Sequence, residues 1–132
     1  MRALKICLWI AGVLCLLSVV GLFLPFSACE SIAKVFGVES FPDSPLVMYG
    51  VRLMSATYAA VGVFFIILAL RPMDYGVLVP FSGLAAVFVG VVCGITGLVV
   101  GMPVLWFLGD SVPCVVLGVL VFVFWRQAKT NN

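Results

Sequence analysis

The sequence predicts an all-α integral membrane protein, a bundle of four transmembrane helices, and three observations carry that expectation. Of the 132 residues, 65% are hydrophobic and only 9% are charged, and the mean hydropathy of +1.36 lies far above that of a water-soluble domain. The apolar residues form runs long enough to cross a hydrocarbon core, which takes about 20 residues of helix. The basic residues cluster at the two ends and in one connection, the alternation that an even number of spans produces. Four spans use most of the chain, so residues 1–132 are expected to form a single membrane domain.

The first helix is expected at about 6–24, an uncharged run bounded by Lys5 and Pro25. The second runs over about 46–70, interrupted only by Arg52 and closed by Arg71-Pro72, where proline disfavours continuation. The stretch 75–109 has no charge and is too long for one ordinary span, but Gly101-Met102-Pro103 offers a place to turn and re-enter. Helix three is therefore placed at 75–100 and helix four at 103–125, with Pro113 as a kink and Arg126 as its end marker. A rival start at Ser111 would leave a short final helix and put Asp110 at the surface as a cap.

Arg2, Lys5, Arg71, Arg126 and Lys129 all fall on one side of such a bundle, while Lys34 stands among Glu30, Glu39 and Asp43 on the other. Short loops rich in Lys and Arg stay cytoplasmic, so both termini are expected there, in a multi-pass protein of the cell (inner) membrane. The connection 25–45 has Ile32, Val35 and Phe36 at helical spacing and predicts a short interfacial helix, followed by an extended turn over Phe41-Pro42-Asp43-Ser44-Pro45. Tyr49, Trp106 and Phe107 suit an outer aromatic belt, and Tyr75 and Trp125 an inner one. The basic start and Phe26-Ser27-Ala28-Cys29 loosely resemble a cleaved lipoprotein signal, but the apolar run is too long and Phe26 too large, so a retained helix is expected.

Helices in lipid associate by close backbone approach, which requires small residues at the contact. Gly83, Ala86, Gly90, Gly94, Gly97 and Gly101 form such a stripe on helix three, at spacings of three and four. On helix two, Arg52, Ser55, Ala56, Ala59 and Gly62 share a face, which should look inward. Arg52 and Asp110 each lie seven residues after a proline that opens a helix, Pro45 and Pro103, and hence about 10 Å along their helices at ~1.5 Å per residue. Opposite charges at one depth predict an intramembrane ion pair, because a lone charge in a span costs about 2.5–3.5 kcal/mol on insertion scales. The pair is expected either to pin helix two to helix four, with hydrogen bonds to Ser55, Tyr58 or Ser111, or to bind a ligand at the base of a pocket.

Chemistry of other kinds finds little support. The chain has five cysteines and no histidine, and Cys7, Cys15, Cys29, Cys93 and Cys114 contain no CxxC pair, so neither a metal site nor a cofactor is expected. Only Cys29 and Cys114 fall near the same side, where a disulfide is conceivable, though small apolar core residues is the simpler reading of all five. No triad, phosphate loop or close carboxylate pair is present, so no catalytic residue is assigned and an enzyme is not expected. The net charge of +2 does not suit a nucleic-acid partner. A small multidrug exporter would be expected to have an acid in helix one, and a quinone-linked thiol oxidoreductase a CxxC; neither is here.

Tyr49-Gly50-Val51-Arg52, Gly62, Arg71-Pro72 and the segment from Gly101-Met102-Pro103 to Asp110 give the chain a resemblance to DoxX-like small four-helix bacterial membrane proteins. That resemblance implies a four-helix fold and a group that includes subunits or partners of membrane redox enzymes. The expected partners are the lipid bilayer and other membrane subunits or further copies of this chain. Two functions are thus carried forward: a non-enzymatic accessory or assembly subunit acting through helix contacts in the bilayer, and a small-molecule carrier or ligand-binding bundle with an outward-facing pocket at Arg52 and Asp110.

Overall fold

A computed structural model describes residues 2–40 and 42–130, so Phe41 of the expected turn lies outside the described residues. Its helices in order are α1 (Arg2–Leu16), a 3₁₀ turn (Leu17–Val19), α2 (Val20–Phe23), α3 (Phe26–Val35), α4 (Pro45–Leu70), α5 (Leu78–Val100) and α6 (Val104–Thr130). Four stretches are long and apolar enough to cross a membrane: Arg2–Phe23, Pro45–Leu70, Leu78–Val100 and Val104–Thr130.

Local chemistry explains where these helices start and stop. Leu24 is extended at ψ 129° because Pro25 follows it, and the Pro25 carbonyl then accepts from the Ala28 and Cys29 amides to open α3. α3 closes on Gly37 at φ 88°, with the Val38 amide donating to the Ala33 carbonyl at 3.0 Å, a Schellman closure. Ser44 caps α4, its Oγ accepting from the Leu46 amide at 3.3 Å, with Pro45 at the first helical position. α4 ends before Arg71-Pro72.

Three boundaries differ from expectation. The first helix begins at Arg2 rather than 6, because Lys5 does not end it; the Lys5 ammonium reaches the Leu70 carbonyl at the end of α4, 3.4 Å away. Helix α5 begins at Leu78 rather than 75, since residues 71–77 form turns with Gly76 at φ 48°. The last helix runs beyond 125 to Thr130, carrying Arg126 and Lys129 outward, with the Lys129 ammonium 5.4 Å from the centre of the Trp125 ring. It also begins at Val104, so Asp110 lies inside a helix and is not a cap at its start.

The close helix pairs are α5 with α6, α1 with α4 and, less extensively, α1 with α6, an order of α4–α1–α6–α5. Glycines set the two tightest crossings. A Cβ on Gly62 would stand 2.8 Å from the Gly12 carbonyl oxygen, and one on Gly83 would stand 2.8 Å from that of Gly118. Backbones this close gain dispersion contacts that larger residues would forbid.

The buried core is concentrated at one end. Leu4, Leu8, Leu68, Val79 and Val121 are each at most 1% exposed, and Phe65, Ala69 and Ala128 join them, with Tyr75 and Trp125 packed alongside. This is the end where Arg2, Lys5, Arg71, Arg126 and Lys129 cluster. α4 joins α5 and α6 here through side chains, Phe65, Leu68 and Ala69 sharing the core with Val79 and Val121.

Candidate functional site: a cavity in the open half of the bundle

Adjoining that core, with Ala11, Phe65 and Val121 common to both, the helices form a half-open cavity of about 310 Å³, to which all four long stretches contribute. Its deeper wall is apolar, including Ala11, Phe65, Leu117 and Val121; its other wall carries Ser18, Tyr58, Gly109 and Asp110. The volume is at the lower limit of pockets that take small organic molecules, about 300–1,000 Å³. Asp110 is the one charged side chain on the wall among the described residues.

α1 and α4 are fastened beside the cavity by Ser18. Its hydroxyl is 2.6 Å from the Cys15 carbonyl, within its own helix, and 2.9 Å from the Ser55 carbonyl on α4. Competition by the hydroxyl for a carbonyl three residues back accompanies the 3₁₀ turn Leu17–Val19. On the α5–α6 side, the Ser111 hydroxyl donates to the Gly90 carbonyl at 2.7 Å across the helix pair. Neither serine proton is therefore left to donate to a ligand, and Ser111 does not serve Asp110.

Pro113, also on the wall, has no N–H to donate to the carbonyl four residues earlier, which belongs to Gly109. A backbone acceptor released by proline thus adjoins the Asp110 carboxylate. Among the described residues no hydrogen bond or ion pair engages the Asp110 side chain; the ion pairs within 4.0 Å are Lys34 with Glu30 and Arg71 with Asp74.

The residues singled out in the sequence separate into three places. Tyr58 and Asp110 come together on the cavity wall. Arg52 is exposed and is not on that wall, and Ser55 is half-buried and spends its carbonyl on Ser18. The expected Arg52–Asp110 ion pair is therefore not made. The reason is register: the α4 side chain that shares the cavity wall with Asp110 is Tyr58, six residues beyond Arg52, so an equal count from the two prolines does not bring the charges together.

The small-residue stripe of α5 faces α6 over most of its length. Gly83 meets Gly118, Gly90 and Gly94 meet Ser111, and Gly97 meets Phe107, while Ala86 lines the cavity. Gly101 belongs elsewhere: nothing lies within 4 Å of its Cβ position, and at φ 73° it ends α5, the Met102 amide donating to the Gly97 carbonyl at 3.0 Å. Phe107 is 7% exposed and so sits in the helix contact, not in an outer belt. Trp106 instead meets Phe36 edge to face, ring centres 5.4 Å apart.

All five cysteines are free, Cys29 and Cys114 included, and Cys15 and Cys114 line the cavity. No group of His, Cys, Asp or Glu suited to a metal ion occurs among the described residues. Sequence reasoning passed over Ser18 and the Gly109–Pro113 relation. A serine inside an apolar run and a proline inside a span were the available signals. Comparison with protein-family models, with curated proteins and with solved structures finds no match to the chain.

Proposed function

We propose that this protein is a small-molecule-binding bundle of the cell (inner) membrane, without catalytic activity of its own, whose four spans hold a ligand in the cavity beside Tyr58 and Asp110. The observation that carries this reading is the contrast in the lining: an apolar chamber of about 310 Å³ with one carboxylate on its wall. Charged residues within spans are costly and are found where they serve a pathway or a ligand. The positive-inside tendency supports placing the packed, basic end and both termini in the cytoplasm, so that the cavity belongs to the outer half. In that orientation α3, with the Glu30–Lys34 pair at 2.8 Å on its surface, lies at the outer interface.

Photolabelling tests the reading. An uncharged benzyl diazirine added to the protein in micelles is expected to label Tyr58, Cys114 and Leu117 well above the lipid-facing residues of α5. Filling the chamber by Ala86→Phe should remove that excess. Labelling spread evenly over the apolar surface, unchanged by Ala86→Phe, would sink the proposal.

The accessory-subunit reading rests on a different observation, the small amount of chain outside the spans. It requires a second protein to co-purify in mild detergent in constant proportion.

A further inference from the structure

The charge inventory of the cavity narrows what it can hold. Its wall carries one carboxylate, Asp110, and a backbone carbonyl, Gly109, that Pro113 cannot satisfy. Its hydroxyl at Ser18 is already committed to the Cys15 and Ser55 carbonyls. That leaves the Tyr58 hydroxyl as the free oxygen donor beside the Asp110 and Gly109 acceptors in an otherwise apolar lining. No lysine or arginine lines it: Arg52 is on α4 but off the wall, and Lys34 is held by Glu30 at 2.8 Å.

Asp110 is exposed on the half-open side of the cavity, within an apolar span, where a carboxylate gains from an opposite charge, and the protein supplies none within 4.0 Å among the described residues. A cationic ligand would supply that charge. We infer that the cavity binds a small lipophilic ammonium cation, its apolar body against Leu117 and Phe65 and its charge between the Asp110 carboxylate and the Tyr58 ring. The aromatic side chains Tyr58 and Phe65 in the lining suit this assignment, because a quaternary ammonium is drawn to aromatic faces. A zwitterionic lipid headgroup does not fit. It would bring a phosphate close behind its ammonium into a wall that offers no cation, so the ligand is a free amine or quaternary ammonium compound.

This inference rests on the cavity being a ligand site, and a pair of isosteric probes separates the two claims. Trimethylanilinium and tert-butylbenzene share one shape and differ in charge. Each is used to compete with the benzyl diazirine for Tyr58, Cys114 and Leu117, at matched concentration in the micelle phase. Trimethylanilinium is expected to compete at least about tenfold better, and Asp110→Asn to bring the two within about twofold of each other. Equal or better competition by tert-butylbenzene in the native protein overturns the cation assignment and leaves the ligand site standing. A tenfold preference that survives Asp110→Asn overturns the role of Asp110. Competition by neither probe overturns both claims. The comparison within the native protein requires no variant to fold.

Discussion

The two halves of this bundle are built from nearly the same residue types and differ in how they use them. At the basic end, Leu4, Leu8, Leu68, Val79 and Val121 interlock with almost no exposure. In the other half, leucines and valines of equal hydropathy face outward or line a chamber, and the polar groups Ser18, Tyr58 and Asp110 appear. In lipid an exposed apolar side chain is not penalised, so hydrophobicity alone cannot close a bundle; close packing must do it. The packed half has that packing. The open half is held by backbone crossings and two interhelical serine bonds, and that looser attachment leaves room for a ligand.

The sharpest way to break this comparison is to make one substitution in each half. Leu8→Ala removes a side chain that is fully buried and should destabilise the bundle by about 2–5 kcal/mol, through lost contacts and the void left behind. Leu14→Ala removes the same atoms from a cavity-lining position that is 51% exposed and should cost under about 1 kcal/mol. Unfolding by sodium dodecyl sulfate in mixed micelles measures both. Equal losses would mean that the cavity half is packed as tightly as the other.

A smaller effect sharpens the account of what holds the open half. Ser111→Ala deletes the 2.7 Å bond to the Gly90 carbonyl and should cost about 0.6 kcal/mol, at most about 1.7, the range found for interhelical hydrogen bonds in membranes. Thr57→Ala deletes a bond of similar length, 2.9 Å, to the Leu53 carbonyl, but within one helix and on an exposed face. It should be nearly neutral in the same titration. If the two variants lose equal stability, the interhelical serine is not a fastening.

The same division marks how far the sequence could be read. The four long helices were legible because length, hydropathy and proline punctuation act locally along the chain. The separation of Arg52 from Asp110 was not, because it depends on the register in which α4 and α6 come together, and a periodic pattern names a face without naming its neighbour. Gly101 shows the limit along one helix. It continues the spacing of Gly90, Gly94 and Gly97, yet the helix has ended at Val100, so the same residue type serves as a left-handed cap. The cavity was illegible for a further reason: a void is defined by what several helices fail to fill.

The smallest stability effect expected is also the one that best separates a ligand site from a structural pin. Were Asp110 an ion-paired pin, Asp110→Asn would leave a guanidinium buried and unmatched, and breaking such a pair costs about 3–5 kcal/mol. With Arg52 and Asp110 both exposed and Asp110 unpaired on the cavity wall, the amide replaces a carboxylate that no protein group was stabilising. Its removal should therefore change the unfolding free energy by no more than about 0.5 kcal/mol, with a slight gain as readily as a loss. Arg52→Gln should be equally mild, and the double variant should show no coupling beyond about 0.5 kcal/mol, since side chains without a shared contact add independently. A coupling above about 1 kcal/mol would place the two charges in contact after all and return Asp110 to structural duty. Near-additivity together with lost ammonium selectivity in Asp110→Asn would leave the carboxylate one role, which is toward the ligand.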